Sequence, residues 1–562
     1  MIRDLDAWEG ETLPFYDLCI VGSGPAGTTV ARELAGSGLR LCLLESGQAR
    51  TTRHGDRLRA VESVGIQVKE YSRERVVGGA STTWAGLSSP LDEIDLGSRD
   101  ELGRPAWPLS REELEPYWEA AAERYRFAPT DLYGPEGFGS LKAMGERDLA
   151  WESVEEKVFL AASEPQNFGV ESQEFFEGGE VDLWTDATVL RLEAEGTDQT
   201  VQRAVLISKG GAERTVKAGA FVLATGGIEN ARLLLCSTDL CPEGLGNETD
   251  QVGRYLMNHP KNYSGIIHLS EPIREWPYYF GCLYQGYAGY AGLRLKDEVL
   301  VEQGLLNSYV RFEPLYPWSN SQGVEALVFL VKRSQFFFKG WKARREGKVV
   351  SLRDYSETGD DTDLQNERKT LWGWIRLFGL ILFHLPSVLR YVASRLRDGS
   401  APPVTTIRLR NFMEMEPDPE HRVTLGKKKD VYGQPLPLVQ HETTKRDRRS
   451  LMALHDVLRQ EVENTGLGRL ETDLEGADPW PVNLDASHHM GTTRMGVDPA
   501  SSVVDRNGRL HSVENVYLAG ASVFPSSGCA NPTLTLVALS IRLAQHLSKV
   551  LPGTSSAGEG GR

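Results

Sequence analysis

The sequence predicts an α/β protein in which a Rossmann-like dinucleotide-binding domain is interrupted by an inserted α+β domain. Three observations lead there. Strand, glycine-rich turn, helix and second strand arrive in that order between residues 16 and 45. A second strand-to-glycine junction, Phe221-Val222-Leu223-Ala224-Thr225-Gly226-Gly227, closes a run of alternating strands. Sequence of the same type resumes only after residue 474, beyond a stretch of different character.

The first unit begins with the apolar run Tyr16-Asp17-Leu18-Cys19-Ile20-Val21, passes through Gly22-Ser23-Gly24-Pro25-Ala26-Gly27, and continues as a helix over 28–35 and a strand over 39–44. In such a βαβ site, Gly22 and Gly24 permit a tight turn and close approach to a pyrophosphate, with Ala26 beside them, and Gly27 lets helix and strand pack closely. The helix N-terminus then presents its partial positive charge to the phosphates. Glu45, at the end of the second strand, stands where a carboxylate accepts the ribose hydroxyls of an adenosine half.

The loop Arg75-Val76-Val77-Gly78-Gly79-Ala80-Ser81-Thr82-Thr83-Trp84-Ala85-Gly86 combines small residues with one large aromatic. Either it is an ordinary tight connection, or its glycines let backbone approach a planar ligand; in the second case Gly79, Ser81, Thr83 and Trp84 are contacts. Strand-like alternation then runs through Ala187-Thr188-Val189-Leu190-Arg191-Leu192 and Ala204-Val205-Leu206-Ile207, with Val189 as a candidate contact, and the strand that ends in Ala224-Thr225-Gly226 resembles a common flavoprotein arrangement, which adds Ala224 and Gly226.

The expected division is a discontinuous cofactor domain, 1–260 and 475–552, with a substrate domain at 261–474 and a Gly/Ser-rich disordered tail at 553–562. A chain of 562 residues exceeds the size at which one core stops growing, so two domains are expected. Within the insert, 335–398 is apolar and basic by turns. The segment 371–386, Leu371-Trp372-Gly373-Trp374-Ile375-Arg376-Leu377-Phe378-Gly379-Leu380-Ile381-Leu382-Phe383-His384-Leu385-Pro386, is too short and interrupted to span a bilayer, which needs roughly 20 apolar residues. With basic residues on both sides (Lys339, Lys342, Arg344 and Arg345 upstream; Arg390, Arg395 and Arg397 downstream), it reads either as a buried or lid-forming helix or as a peripheral membrane contact.

The chain carries 62 basic and 78 acidic residues, a formal charge of -16, which disfavours a nucleic-acid partner and is otherwise compatible with solubility or a cationic substrate. Six scattered cysteines show neither zinc-site spacing nor a disulfide framework, so no metal is expected. Cys19 and Cys42 read as small hydrophobes in neighbouring strands. The segment from Met1 to Glu9 lacks a basic and an apolar region, so a cytoplasmic location is expected.

Near the carboxyl end stand Ser487-His488-His489-Met490-Gly491-Thr492-Thr493-Arg494-Met495-Gly496 and Gly528-Cys529-Ala530-Asn531-Pro532-Thr533-Leu534-Thr535. An imidazole with a pKa near about 6.5 suits removal of a hydroxyl proton as hydride leaves carbon. An asparagine amide suits the developing oxygen charge.

Taken with Gly253-Arg254-Tyr255-Leu256-Met257-Asn258-His259-Pro260 and Ala519-Gly520-Ala521-Ser522-Val523-Phe524-Pro525, these motifs resemble the glucose-methanol-choline (GMC) oxidoreductases over roughly 15–260 and 480–548. Within that family the wording is similar to pyranose 2-oxidase and the bacterial glycoside oxidases and dehydrogenases. The resemblance implies FAD as cofactor, a GMC or p-hydroxybenzoate-hydroxylase-like architecture, His488 as the catalytic base, His489 as a packing neighbour, and Asn531 as the group that holds the substrate oxygen. It adds Gly520, Ala521, Pro532 and Thr533 to the flavin contacts. It implies oxidation of a C–OH on a sugar, glycoside or aminoglycoside, with O2 or another electron acceptor. Two alternatives are a GMC-type oxidation of a non-sugar alcohol and a hydroxynitrile-lyase-like reaction without net redox change.

Two departures stand out. Pyranose 2-oxidase bonds its flavin through a histidine in this loop, whereas Ser81-Thr82-Thr83-Trp84 has none, so FAD is predicted to be held non-covalently. Many relatives carry an acid where this chain has Gly520, which leaves contacts to the flavin's ribityl chain to other groups.

Overall fold

The computed structural model describes residues 1–551 apart from 143–148, 163, 195–198, 275, 280–281, 329, 331–370, 398–401 and 483–486. The expected tail 553–562 and the 335–370 part of the apolar and basic insert lie outside the described residues.

Strand Tyr16–Val21 is buried almost throughout and Leu41–Leu44 entirely, as expected of strands covered on both faces. They form the centre of the first sheet, whose order is Ile2–Asp4, Asp182–Thr185, Leu41–Leu44, Tyr16–Val21, Glu213–Leu223, Arg203–Ser208 and Ala187–Glu193. The first five pair in parallel, and Val516–Leu518 adds itself in parallel to Glu213–Leu223. This last pairing brings the carboxyl-terminal motifs back to the first glycine turn. Helix Pro25–Glu33 packs on helix Thr533–Val550, which packs in turn on helix Arg111–Tyr125. Cys19 sits opposite Cys42 in register, and both are buried. Burial pushes the Cys42 thiol well up, so this pair behaves as apolar filling.

The second sheet is ordered Cys282–Tyr284, Tyr287–Leu295, Tyr309–Pro314, Val404–Phe412, Ile266–Ile273 and Gly468–Glu471, with Lys261–Asn262 on Val404–Phe412 and Val154–Ala162 on Tyr287–Leu295. The pairs within it are antiparallel. One face is apolar: Ile267, Val310, Phe312, Ile407 and Leu409 cluster with Leu451, Leu454, Leu458 and Val462 of helix Lys445–Asn464. Strand alternation sends Tyr309, Arg311, Arg410 and Phe412 to the opposite face, which looks onto the cavity described below. A division at residue 260 does not follow this sheet, because Val154–Ala162, from the first segment, pairs with Tyr287–Leu295 along its whole length. A third sheet joins Glu62–Gly65 to the hairpin Arg422–Lys429 and Pro435–His441.

The segment 371–386 forms helix Leu371–Phe383 and the start of helix Leu385–Arg397, bent against each other by 77°. Among the described residues no single helix is long and apolar enough to cross a membrane. Leu377 and Val388 face inward, against Ala326 and against Val324 and Val328 respectively. Trp372, Leu382, Phe383 and Leu396 are 79, 70, 84 and 82% exposed. Only the inner stripe of this pair is covered, so full burial does not describe it, while a lid and a peripheral membrane contact both remain compatible with its exposed face.

Candidate active site

The first glycine turn divides its three glycines by job. Gly22 takes φ +100°, and a Cβ there would stand 2.6 Å from the Ala224 carbonyl oxygen. A Cβ on Gly27 would stand 1.9 Å from the Gly22 carbonyl oxygen, which no side chain survives. Gly24 has no atom within 4 Å of the corresponding point. The space it leaves opens at the N-terminus of helix Pro25–Glu33, whose unpaired N–H groups suit a pyrophosphate. Glu45 accepts from the Ser23 N–H and Oγ at 3.2 and 2.6 Å and from the Gly47 N–H at 2.8 Å, so it also ties the second strand to the turn.

A cavity of about 570 Å³ runs from this turn to the carboxyl-terminal motifs. Its lining includes Gly22, Gly24, Ala26, Glu45, Gly79, Ser81, Thr83, Trp84, Val189, Ala224, Gly226, Gly520, Ala521, Pro532 and Thr533, together with His488 and Asn531. Gly27 is outside the lining and serves helix packing alone. The loop after residue 78 is pinned in place: the Ser81 hydroxyl donates to the Gly78 carbonyl at 2.6 Å and accepts from the Phe168 N–H at 3.1 Å, and Trp84 Nε1 donates to the Gln166 carbonyl at 2.6 Å. Gly520 holds φ +101°, a backbone region that any side chain enters at a cost of about 1–3 kcal/mol, which accounts for glycine here. Asn531 lies just before helix Thr533–Val550, whose positive end therefore faces the cavity. These features fit an extended dinucleotide such as FAD: a steric cradle at Gly24, helix N-termini at two points, and a small-residue loop between them.

His488 reaches the cavity through a chain of buried polar groups. Asn258 Oδ1 accepts from the backbone N–H of both His259 and His488 at 2.9 Å. His259 Nδ1 lies 2.9 Å from His488 Nδ1, and His259 Nε2 lies 2.8 Å from the Gly528 carbonyl oxygen. Burial lowers the His259 pKa to about 4, so its ring is neutral at pH 7 and carries one proton. A carbonyl only accepts, which places that proton on Nε2 and leaves Nδ1 as an acceptor. His488 Nδ1 is then the donor between the rings, which assigns the lone pair of an unprotonated His488 ring to Nε2. His489, which also lines the cavity, is buried and its pKa is lowered to about 3 by burial, so it stays neutral.

Sequence reasoning missed His259 as a site residue although the Asn258-His259-Pro260 wording marked it. It also missed the basic and aromatic wall of Lys261, Tyr290, Tyr309, Arg311, Arg410 and Phe412, which lines the same cavity. The i, i+2 spacing in Tyr309-Val310-Arg311 and Arg410-Asn411-Phe412 places each pair on one face, but spacing alone does not say which face meets the cavity. A further ionic cluster was missed: Glu229 is buried among Arg73, Arg75 and Arg232, and although burial opposes ionisation, the arginines hold its carboxyl well below the usual range.

Residues 417–540 match the sequence profile of the GMC oxidoreductases. Paromamine 6'-oxidase of Streptomyces fradiae is 23% identical over 95% of this chain and 91% of its own length. Pyranose 2-oxidase of Emericella nidulans is 32% identical over 27% of each chain. Among solved structures, pyridoxine 4-oxidase from Mesorbium loti shares the fold with a TM-score of 0.52, at 16% identity, over 94% of this chain and 98% of that one. The profile match over residues 417–540, the end-to-end relatives and the shared fold agree with the cavity: the chain is similar to the GMC oxidoreductases, FAD-dependent enzymes that act on CH–OH groups.

Proposed function

We propose that the protein oxidises a C–OH group of a sugar or glycoside, with aminoglycosides in that class, and that His488 is the general base. The observation that carries this reading is the His259–His488 contact, which leaves the base-competent lone pair on His488 Nε2 in a cavity shared with Asn531. His488 Nε2 takes the hydroxyl proton as the C–H hydride departs, and the Asn531 amide donates to the substrate oxygen while it carries negative charge. FAD, when bound, supplies the two-electron acceptor for that hydride. The Gly24 cradle and Glu45 would hold its adenosine half, and Gly79, Ser81 and Trp84 its flavin side. Thr83 offers no ring nitrogen for a flavin bond, which supports non-covalent binding. The relatives paromamine 6'-oxidase and pyranose 2-oxidase support a sugar-type alcohol.

Anaerobic mixing of the holoenzyme with a panel of sugars, glycosides and aminoglycosides, read by loss of the oxidised flavin's visible absorbance, tests the reaction class. His488→Ala should slow that bleaching by about 10²- to 10⁴-fold; an unimpaired rate overturns the base assignment. A spectrum unchanged while an aldehyde is released would instead favour lyase chemistry.

A peripheral membrane contact is the second element we propose, supported by the outward apolar stripe of Trp372, Leu382, Phe383 and Leu396 beside the exposed Arg376 and Arg390. Replacing the four apolar residues by serine should abolish co-flotation with anionic liposomes. Equal flotation of both proteins, or none by either, refutes it.

A further inference from the structure

Gly528 and Asn531 stand on one short turn, 526–531, that leads into helix Thr533–Val550. The Gly528 carbonyl oxygen lies 2.8 Å from His259 Nε2 and so decides which ring nitrogen of His259 carries the proton. Among the described residues no backbone–backbone hydrogen bond ties this turn to another segment, so its place depends on side chains.

One residue grips the turn twice. The Ser526 hydroxyl accepts from Trp107 Nε1 at 2.7 Å and donates to the Asp95 carbonyl at 2.8 Å. Gly528 takes φ +53° and backs onto the Asp95 side chain so closely that a Cβ there would stand 2.4 Å from Asp95 Oδ2. Asp95 and Ser526 are fully buried.

The Asp95 carboxyl is itself held from two sides. It belongs to the third residue of helix Glu93–Leu96, and Oδ2 accepts from the Asp92 N–H at 3.0 Å, as a capping box requires. Oδ1 accepts from Asn307 Nδ2 at 2.9 Å. Asn307 is fixed in turn by Glu414, which accepts from its backbone N–H at 2.6 Å, and by Arg294 Nη1, which donates to its side-chain oxygen at 3.2 Å. Capping accounts for the bond to Asp92. It does not account for the bond to Asn307, nor for a carboxyl pressed against the glycine whose carbonyl serves His259.

We propose that Asp95 is a positioning residue for the oxidation: its carbonyl holds Ser526 and its carboxyl backs Gly528, which keeps the Gly528 carbonyl on His259 Nε2–H and, through His259, keeps an acceptor at His488 Nδ1. This rests on the reading of His488 as the base. Asp95 lies outside the cavity lining, so its influence passes through the turn.

Anaerobic reduction of the flavin in the holoenzyme, with the alcohol that reduces it fastest, tests this in a double-mutant cycle. Asp95→Leu keeps a side chain of similar size and removes both acceptors. It should lower the limiting rate of reduction about 3- to 10-fold, the worth of one neutral hydrogen bond, with Kd and FAD content unchanged. Asp95→Asn keeps the shape and one acceptor, and should stay within about 2-fold of wild type. His259→Asn supplies His488 with an amide acceptor that does not need Gly528, so adding Asp95→Leu to it should cost less than about 2-fold further. A wild-type rate for Asp95→Leu, an equal cost in both backgrounds, or a loss that tracks FAD content overturns the proposal. Where Asp95→Leu yields no folded holoenzyme, Gly528→Ala approaches the same contact from the turn. It should slow reduction, and Asp95→Ala should restore part of the rate by making room for the methyl; a wild-type rate for Gly528→Ala, or a defect that Asp95→Ala deepens, overturns the proposal. His488→Ala, measured alongside, separates the two readings: if it is impaired while Asp95→Leu is not, this proposal alone falls, and if it is unimpaired the base assignment falls as well.

Discussion

The His259–His488 contact makes a prediction that two near-isosteric substitutions separate. The amide oxygen of an asparagine falls near the Nδ1 position of a histidine, and the amide nitrogen of a glutamine falls near Nε2. His259→Asn therefore keeps an acceptor for His488 Nδ1–H and gives up the bond to the Gly528 carbonyl. His259→Gln keeps the Gly528 bond and removes the acceptor. Losing a neutral hydrogen bond and leaving a partly buried donor unsatisfied costs about 1–2 kcal/mol, which is roughly 5- to 30-fold in the rate of the step that uses His488 Nε2. Anaerobic stopped-flow reduction of the flavin at saturating substrate should show that loss for His259→Gln and a smaller one for His259→Asn. The effect should sit in the rate of reduction, with Kd little changed, because both ring nitrogens of His259 are engaged, one by His488 and one by the Gly528 carbonyl. If His259→Gln reduces at the wild-type rate while His259→Asn is impaired, the Gly528 anchor matters and the tautomer argument is wrong.

Other consequences are open to direct measurement. Gly27→Ala places a methyl 1.9 Å from the Gly22 carbonyl oxygen, so the purified variant should contain little FAD; a wild-type ratio of flavin to protein absorbance would contradict the steric reading. Acid precipitation of the holoenzyme should leave the yellow colour in the supernatant, and a coloured pellet would show a covalent flavin bond despite Thr83. Burial lowers the His455 pKa from 6.5 to about 3. Between those values the unfolded chain binds the proton and the folded chain does not, so stability falls as pH drops through that window, by roughly 2–3 kcal/mol for this ring at pH 4.5. His455→Gln should accordingly show a shallower decline of its urea midpoint between pH 7 and 4.5, and parallel declines would refute the assignment.

The local parts of the site were legible because local geometry dictates them. A strand that turns at Gly22 and enters a helix directly after Gly24 has few other uses, and of the candidates named from this unit Gly22, Gly24, Ala26 and Glu45 line the cavity, together with Val21, Ser23, Pro25 and Leu44, which were not named. Thr83 and Gly520 were legible as departures, and the structure adds the reason for the second: at φ +101° glycine is the residue that fits. His259 was quoted in a motif without a role, since its importance lies in ring nitrogens meeting His488, a residue 229 positions away. The apolar pair of helices was left between two readings because composition reports how apolar a segment is and not which side meets the core; Leu377 and Val388 are covered while Phe383 and Leu396 are not.

By itself the sequence determined the reaction class of this protein: the nucleotide cradle, the cofactor type implied by the motifs, and an imidazole and an amide of suitable chemistry. These depend on residues close in the chain, where φ/ψ limits and helix polarity act without reference to anything distant. Only the tertiary structure decided which groups meet the proposed base and what lines the cavity around it. Parallel pairing of Val516–Leu518 with Glu213–Leu223 helps return the carboxyl-terminal segment to the cradle, Asn258 holds two histidine backbones at once, and the register of Tyr309–Pro314 against Val404–Phe412 sets two arginines side by side. Charge and proton position at a site are sums over neighbours in space, and the neighbours here come from segments hundreds of residues apart.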